Sequence, residues 1–254
     1  MSRNVPTLAV TGPAGTHWAL FALTNLSIEL ARQGHRVLVV DDEPGELNVA
    51  ELMGLVDVES QGDRVFAGGA MGVKIAYRTA VLNDLLSRSS GTHEERQPFW
   101  PEAYCQFDFI LYHLPPGRAQ DTATLLEGTT LCIAMTGDDP EGMVKAYGGL
   151  KNLHLRQRHI ALGLTVITDE EERAALAFTK MAGNVKRFLA RSLASYAWLK
   201  TEPGIKASIG ERVPLVLKSP LSPVRMNLMN LTTLIVEDHR SKGGELDKNT
   251  GRRR

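Results

Sequence analysis

Two kinds of apolar pattern alternate along the chain. Short runs of consecutive apolar residues predict strands that are buried on both faces, because a half-exposed strand would alternate apolar and polar positions. These runs cover residues 7–10, 37–40, 107–112, 130–135 and 160–168. Longer segments carry apolar residues three or four positions apart and predict helices with one buried face. These segments cover residues 18–33, 140–153, 170–194 and 223–237.

The order of these elements predicts an α/β fold. The first strand, helix and second strand form a β-α-β unit, with Gly34 placed to end the helix. Such units imply a doubly wound, mostly parallel sheet with helices on both faces. Residues 57–72 and 88–104 lack periodicity and are predicted to be surface connections. We expect one domain over residues 1–239 and a polar, basic, disordered tail over residues 240–254.

Composition excludes several classes of protein. The chain has 254 residues, of which 43% are hydrophobic, and 29 Lys or Arg balance 29 Asp or Glu. This composition argues against intrinsic disorder, and the zero net charge argues against a protein that coats nucleic acid. Cys105 and Cys132 belong to no metal-binding motif and are expected to pack in the core. No segment resembles a signal peptide or a membrane span, so we expect a cytoplasmic protein.

The loop after the first strand is the natural place for a phosphate, because the amides at a helix N-terminus attract anions. A working phosphate loop also supplies a lysine for the terminal phosphates and a Ser or Thr for magnesium. The loop here consists of Gly12, Pro13, Ala14, Gly15, Thr16, His17, Trp18, Ala19 and Leu20. No lysine occurs before Lys74, so the loop lacks the positive charge that such a site needs.

Motifs on both sides of the loop indicate a family. Residues 25–31 read N-L-S-I-E-L-A, residues 41–45 read D-D-E-P-G, and an asparagine follows at position 48. In these motifs the chain resembles the MinD/ParA group of deviant Walker ATPases, whose loop S-G-K-G-G-V-G-K-T precedes N-L-A-x-x-L-A and D-A-D-x-G-x-x-N. Residues 10–55 align with the group without gaps, and the resemblance covers residues 7–237. It implies a P-loop NTPase fold, and within the group the chain is most similar to the flagellar-number regulators FlhG and FleN.

The alignment shows what stands where the family binds phosphate and magnesium. The family's two phosphate-contacting lysines fall on Ala14 and Ala19, and its magnesium-binding threonine falls on Leu20. A loop glycine falls on Trp18, which we expect to fill the vacated phosphate pocket. The alternative is that His17 and Trp18 stack on a different ligand.

The two switch regions are also altered. Asp41 and Glu43 are the switch I equivalents, and Glu43 replaces the aspartate that positions the attacking water. His113 replaces the switch II aspartate, and Gly117 matches the glycine that follows it. His113 is either a neutral residue left in a decayed site or a pH-sensitive or metal-binding group.

These substitutions predict a catalytically inactive protein. Losing one partner of a buried charged contact costs about 2–5 kcal/mol, whereas a micromolar ligand has only about 8 kcal/mol of binding free energy. We therefore expect no catalytic residue, no metal and no cofactor, and we predict a scaffold. The resemblance implies protein–protein contact in the placement or number control of a bacterial surface or polar structure, with the flagellum favoured. The expected partner is an active paralogue or a polar or flagellar GTPase. A homodimer is also compatible with this function. Any association with the membrane would come through the partner.

An enzymatic alternative stays open. The chain would then be an atypical ATPase that binds ATP and magnesium through the backbone amides of residues 12–17 and dimerises under nucleotide control. Lys74 or Lys200 would supply the missing lysine. The resemblance places the adenine contacts near Thr165 and residues 200–202.

A third alternative is a tether to membrane or DNA. Arg252, Arg253 and Arg254 end the tail, but three charges in a flexible tail argue weakly for such contact because phosphate attraction falls steeply with salt. The apolar stretch 226–235 is either the last core helix, as its position in the family implies, or a membrane- or partner-binding helix.

Overall fold

A computed structural model describes residues 5–13, 15–41, 47–55, 66–88, 99–116 and 123–250, with only the backbone described for residue 88 and residues 241–250. The strands are β1 (Thr7–Thr11), β2 (Val37–Asp41), β3 (Ala67–Gly68), β4 (Lys74–Tyr77), β5 (Phe109–His113), β6 (Leu131–Gly137), β7 (Ala161–Thr168) and β8 (Ala194–Lys200). The helices are α1 (Trp18–Arg32), α2 (Val49–Leu52), α3 (Arg78–Arg88), α4 (Ala123–Gly128), α5 (Pro140–Arg156), α6 (Glu171–Leu189), α7 (Pro203–Glu211), α8 (Leu215–Lys218) and α9 (Pro223–Thr250).

These strands form one sheet in the order β3-β4-β2-β5-β1-β6-β7-β8. Every described pairing is parallel except that of the two-residue β3 with β4. The predicted doubly wound, mostly parallel α/β fold is therefore confirmed. β1 lies at the centre, between β5 and β6, so the chain segments after these three strands meet at one edge of the sheet.

Two hydrophobic cores cover the two faces of the sheet. The first core packs α1, α2, α8 and α9 on one face, and the second packs α3, α4, α5 and α6 on the other. The central strands β1 and β2 are buried on both faces, which explains why their sequences are apolar without alternation. Leu228, Leu231 and Ile235 lie in the first core, so the stretch 226–235 is a core helix.

Buried polar side chains attach α1 to the C-terminal part of the chain. The Asn25 amide donates to the Phe21 carbonyl at 2.8 Å, and its oxygen accepts the Val216 amide at 3.0 Å. The Glu29 carboxylate is 2% exposed and accepts hydrogen bonds from Arg32 and Arg225. These contacts connect α1, which begins at the loop, to α8 and α9.

Several boundaries differ from the predictions. The helix predicted over residues 170–194 ends at Leu189, because Ala190 adopts a left-handed φ of 52°, and β8 then begins at Ala194. In the segment predicted as a surface connection over residues 88–104, Trp100 and Tyr104 are buried in the second core. In the segment 57–72, only residues 66–72 are described, and they contain β3 and a short 3-10 turn.

The C-terminal helix is also longer than predicted. The backbone of α9 stays helical through Thr250, whereas the sequence predicted a helix that ends near residue 237, and residues 251–254 lie outside the described part of the chain. None of the described helices is both long enough and apolar enough to cross a membrane.

Candidate functional site

The loop that follows β1 lies at the carboxyl edge of the sheet and is closed by its own hydrogen bonds. Gly15 has a φ of +78°, the left-handed value that a tight turn requires and glycine adopts without strain. The amide and the hydroxyl of Thr16 both donate to the Pro13 carbonyl, at 3.2 and 2.8 Å. The Thr16 amide is therefore not free for a phosphate, and Ala14 lies outside the described residues.

The start of α1 faces the first core. Ala19 is 2% exposed and Leu20 is 6% exposed, and both belong to that core. Trp18 is half-buried and packs against the same core, while His17 is exposed and its side chain makes no capping hydrogen bond. The positions that align with the family's lysine and threonine thus carry apolar side chains directed into the protein.

Asp41, at the end of β2, stabilises the start of α2. Its carboxylate is fully buried and accepts the backbone amides of Val49 at 2.8 Å and Ala50 at 2.7 Å. Asn48 caps the same short helix by accepting the Glu51 amide at 2.9 Å. The polar groups of this segment therefore fix α2. Glu43, the other switch I equivalent, lies outside the described residues.

His113 ends β5, next to β1. Its side chain is half-buried, and its carbonyl accepts a hydrogen bond from the Arg78 guanidinium at 3.0 Å. Gly117, the other switch II equivalent, is not among the described residues. Within the described ranges, no three His, Cys, Asp or Glu side chains form a group that could hold a metal ion.

A cleft of about 380 Å³ opens between the loop and the N-terminus of α5, and we call it the acidic cleft. Pro13, Thr16 and Trp18 line one side. Four charged residues line the other side, namely Asp138, Asp139, Glu141 and Lys145. Three carboxylates thus face one ammonium group beside a loop that itself contains no cation.

The charged groups of the acidic cleft also have partners within the chain. Asp138 pairs with Arg173 at 2.5 Å and accepts the Thr168 hydroxyl at 3.1 Å. Asp139 caps α5 by accepting the Gly142 amide at 2.7 Å. Lys145 bonds to Glu141 at 2.7 Å, and this hydrogen bond raises the pKa of the ammonium group.

Lys145 also borders a second, mostly apolar cleft of about 320 Å³, which shares Pro13 with the first. Its wall includes Met135 and the helix residues Ala146 and Gly149. Among the described side chains, Lys145 is the lysine that lines both clefts beside the loop, and the sequence did not identify it. The available signal was its position one turn into the helix that follows β6, the neighbour of β1.

Thr165, Lys74 and Lys200 lie in three different places relative to the loop. Thr165 is fully buried in β7 and donates to the Tyr196 carbonyl at 2.6 Å, so it cannot contact an adenine. Lys74 begins β4 at the amino edge of the sheet, opposite the loop, and is excluded as the missing lysine. Lys200 is exposed at the carboxyl end of β8, and Thr201 next to it lines the acidic cleft.

Magnesium and ATP do not fit the described residues. A nucleotide triphosphate needs cations and donors directed at its phosphates, and magnesium needs an oxygen ligand on the loop helix. Ala19 and Leu20 supply neither, and the cleft beside them carries an excess of carboxylates.

Solved structures share this architecture. A chain of the MinC:MinD cell division protein complex from Aquifex aeolicus aligns with a TM-score of 0.69 and 13% identity over 92% of this chain and 96% of that one. The cell division ATPase MinD of Pyrococcus furiosus aligns with a TM-score of 0.65 and 16% identity, over 93% and 99% of the two chains. A ParA family ATPase from Chlorobium tepidum TLS aligns with a TM-score of 0.64 and 11% identity, over 91% and 99%.

These similarities identify the fold as that of the MinD/ParA P-loop NTPases. At such low identities, the likeness concerns the fold alone. Comparison of the sequence with protein-family models and with curated proteins finds no match.

Proposed function

We propose that this chain is a catalytically inactive MinD/ParA-like protein that acts by contact with other proteins. Its task would be the spatial placement or number control of a bacterial surface or polar structure. The resemblance of its motifs to the flagellar-number regulators favours the flagellum. One observation carries the proposal. The fold is that of nucleotide-binding proteins, whereas the loop contains no cation and the cleft beside it is lined by three carboxylates and one ammonium group.

The magnitude of the charge effect supports inactivity. Phosphoryl transfer is catalysed almost entirely by positioning and by electrostatic stabilisation of the phosphoryl oxygens. Each lost buried charged contact costs about 2–5 kcal/mol, so the three losses at Ala14, Ala19 and Leu20 remove about 6–15 kcal/mol if they are additive. Against the roughly 8 kcal/mol of a micromolar ligand, even the lower total leaves only millimolar or weaker affinity. The carboxylate of Asp139 adds repulsion beside the loop, whereas that of Asp138 is paired with Arg173.

A protein partner fits the same geometry. The MinC:MinD complex of Aquifex aeolicus is an assembly of a protein with this fold and another protein. In our proposal, the partner is an active paralogue or a polar or flagellar GTPase, or a second copy of the chain, and assembly does not depend on nucleotide. Lys145 and the two clefts at the carboxyl edge supply polar and apolar contacts for such a surface.

Turnover and assembly test the proposal together. The purified chain should release no phosphate from ATP above the level of a Glu43→Gln control. Its sedimentation coefficient should be the same with and without ATP and magnesium. Turnover that is abolished by Glu43→Gln, or a dimer that forms only with ATP, would overturn the proposal.

One observation favours the alternative of an atypical ATPase: Lys145 lies beside the loop. In that case Lys145, and not Lys74, would contact the phosphates. Lys145→Ala should then abolish ATP binding, whereas Lys151→Ala on the same helix should not. If neither variant changes a measured affinity, Lys145 has no such role.

A further inference from the structure

The acidic cleft contains one carboxylate that no cation of the described chain neutralises. Two of the three carboxylates that line it are paired, Asp138 with Arg173 and Glu141 with Lys145. Asp139 is the third, and among the described residues no Lys, Arg or His forms an ion pair with it. The side chain of Asp139 is exposed, so a cation from outside the chain can reach it.

The carboxylate of Asp139 has a fixed position at the wall of the cleft. Its Oδ1 atom accepts the Gly142 amide at 2.7 Å and so caps α5. Its Oδ2 atom lies where no side chain could stand beside it, 2.7 Å from the position of a Cβ on Gly137 and 2.8 Å from that of a Cβ on Gly142. Both glycines line the cleft, so their lack of a side chain leaves room for Oδ2.

A second oxygen lies beside the same point. Thr136 is fully buried, and its Oγ1 atom makes no hydrogen bond with any residue that the structure describes. This atom lies 3.3 Å from the position of a Cβ on Gly142, the position that Asp139 Oδ2 also borders. A buried hydroxyl without a partner is costly, and such groups are rare in folded proteins unless something else completes them. One charged and one neutral oxygen therefore converge at the wall of the cleft.

Trp18 adds an aromatic surface on the other side of the cleft. Packing against the first core accounts for the buried part of its side chain but not for the part that lines the cleft. The face of an indole attracts cations more strongly than that of any other aromatic side chain. A planar guanidinium can stack on such a ring while its edge donates to a carboxylate, whereas an ammonium group lacks that shape.

We propose that the acidic cleft binds a guanidinium group. The planar cation lies against Trp18, and its N–H groups donate to Asp139 Oδ2 and Thr136 Oγ1. The cleft volume of about 380 Å³ is large enough for a whole arginine side chain. The group belongs either to an arginine of a protein partner or to a free guanidino compound, since both present the same chemistry.

The cation site and a nucleotide site exclude each other. A guanidinium can occupy the cleft only if ATP does not, and in this respect the site rests on the function proposed above. Lys145 is then a competitor of the guanidinium. The pKa of Lys145 is raised by its hydrogen bond to Glu141 and, to a lesser extent, by the negative charge of Asp139. Its ammonium group is thus close enough to Asp139 to oppose a second cation.

An NMR titration of the full chain tests the proposal with two probes, N-acetyl-arginine methylamide and agmatine. Among the indole N–H signals of the three tryptophans, that of Trp18 should shift in a saturable way. The dissociation constant should be about millimolar, because so small a probe makes few contacts. The citrulline analogue has the same shape without the charge and should not bind. Tighter binding of the arginine compound identifies a protein arginine as the source, and tighter binding of agmatine identifies a free compound.

Four variants separate the contacts of the site. Asp139→Asn keeps the cap of α5, because asparagine caps as well as aspartate, and should weaken binding at least about tenfold. Glu102→Gln is the matched control, since it removes an exposed carboxylate outside the cleft and should leave binding unchanged. Trp18→Leu keeps an apolar contact with the first core and should weaken binding about fivefold. Thr136→Val should weaken binding about fivefold and yet raise the urea midpoint of the free chain, because it removes a hydroxyl without a partner.

Lys145→Gln has the opposite expected sign. It removes the competing cation and should tighten binding of the arginine compound, whereas a phosphate-binding lysine would give no such gain. Equal losses in the Asp139 and Glu102 variants would overturn the proposal, as would binding of the citrulline analogue or weaker binding by Lys145→Gln. The absence of any saturable shift would overturn the cation site and leave the inactivity of the chain untouched. Micromolar binding of ATP in the same titration would instead overturn the proposed function.

Discussion

The buried carboxylate of Glu29 leads to a prediction about how the loop helix is held. Glu29 is 2% exposed, and its Oε1 atom accepts hydrogen bonds from Arg225 at 2.8 Å and from Arg32 at 3.1 Å. Arg225→Met removes the shorter bond and leaves the carboxylate buried with one partner. Breaking a buried ion pair costs about 3–5 kcal/mol, and we expect about 3 kcal/mol here because Arg32 remains.

Urea unfolding followed by circular dichroism measures this cost as a shift of the midpoint at unchanged slope. Arg36→Met is the matched control, because it breaks the more exposed pair with Asp108 and should cost much less. Adding Glu29→Gln to Arg225→Met should recover part of the loss, since a buried amide needs no counter-charge. The reasoning is refuted if the Arg225 and Arg36 variants lose the same stability, or if the double variant recovers none.

Three other changes have expected outcomes. Burial raises the pKa of the Cys132 thiol to about 12, so a maleimide at pH 8 should label one thiol in the folded chain and a second only after denaturation. Gly148→Ala should stabilise α5 by about 0.5–1 kcal/mol, because a Cβ there meets nothing within 4 Å. Gly142→Ala should destabilise the chain, because its Cβ would lie 2.8 Å from Asp139 Oδ2. Thermal unfolding of the two variants measures both effects. Asp139→Ala removes the cap of α5 and should cost about 1 kcal/mol in the same assay.

The sequence predicted the strands and helices whose local hydrophobic pattern matches the secondary structure that they adopt in the fold. The apolar runs at β1, β2 and β5 to β7 appear as parallel strands, and Gly34 follows the end of α1 with a φ of +87°. The sequence did not predict β8, because α6 ends at Ala190 and alanine gives no signal for a left-handed residue. Apolar residues before and after Ala190 keep a helical spacing, so the hydrophobic pattern predicts one continuous helix. Residues 194–200 form a strand because they pair with β7.

The loop and the cleft differ in how far they could be predicted. The apolar substitutions at Ala19 and Leu20 are visible in the sequence, and the structure adds that both side chains enter the first core. Asp139, Glu141 and Lys145 are distant from the loop in sequence, and a Glu and a Lys four residues apart are common on exposed helices. They reach the loop only because β6 lies next to β1, which is a property of the sheet order.

A direct titration with labelled ATP tests the central claim. The full chain, at a fixed low concentration of labelled ATP with magnesium present, should show no saturable change in anisotropy up to millimolar protein. The account predicts this result because the loop has no cation and the cleft beside it has three carboxylates. Saturable binding in the micromolar range, competed by unlabelled ATP, would contradict it.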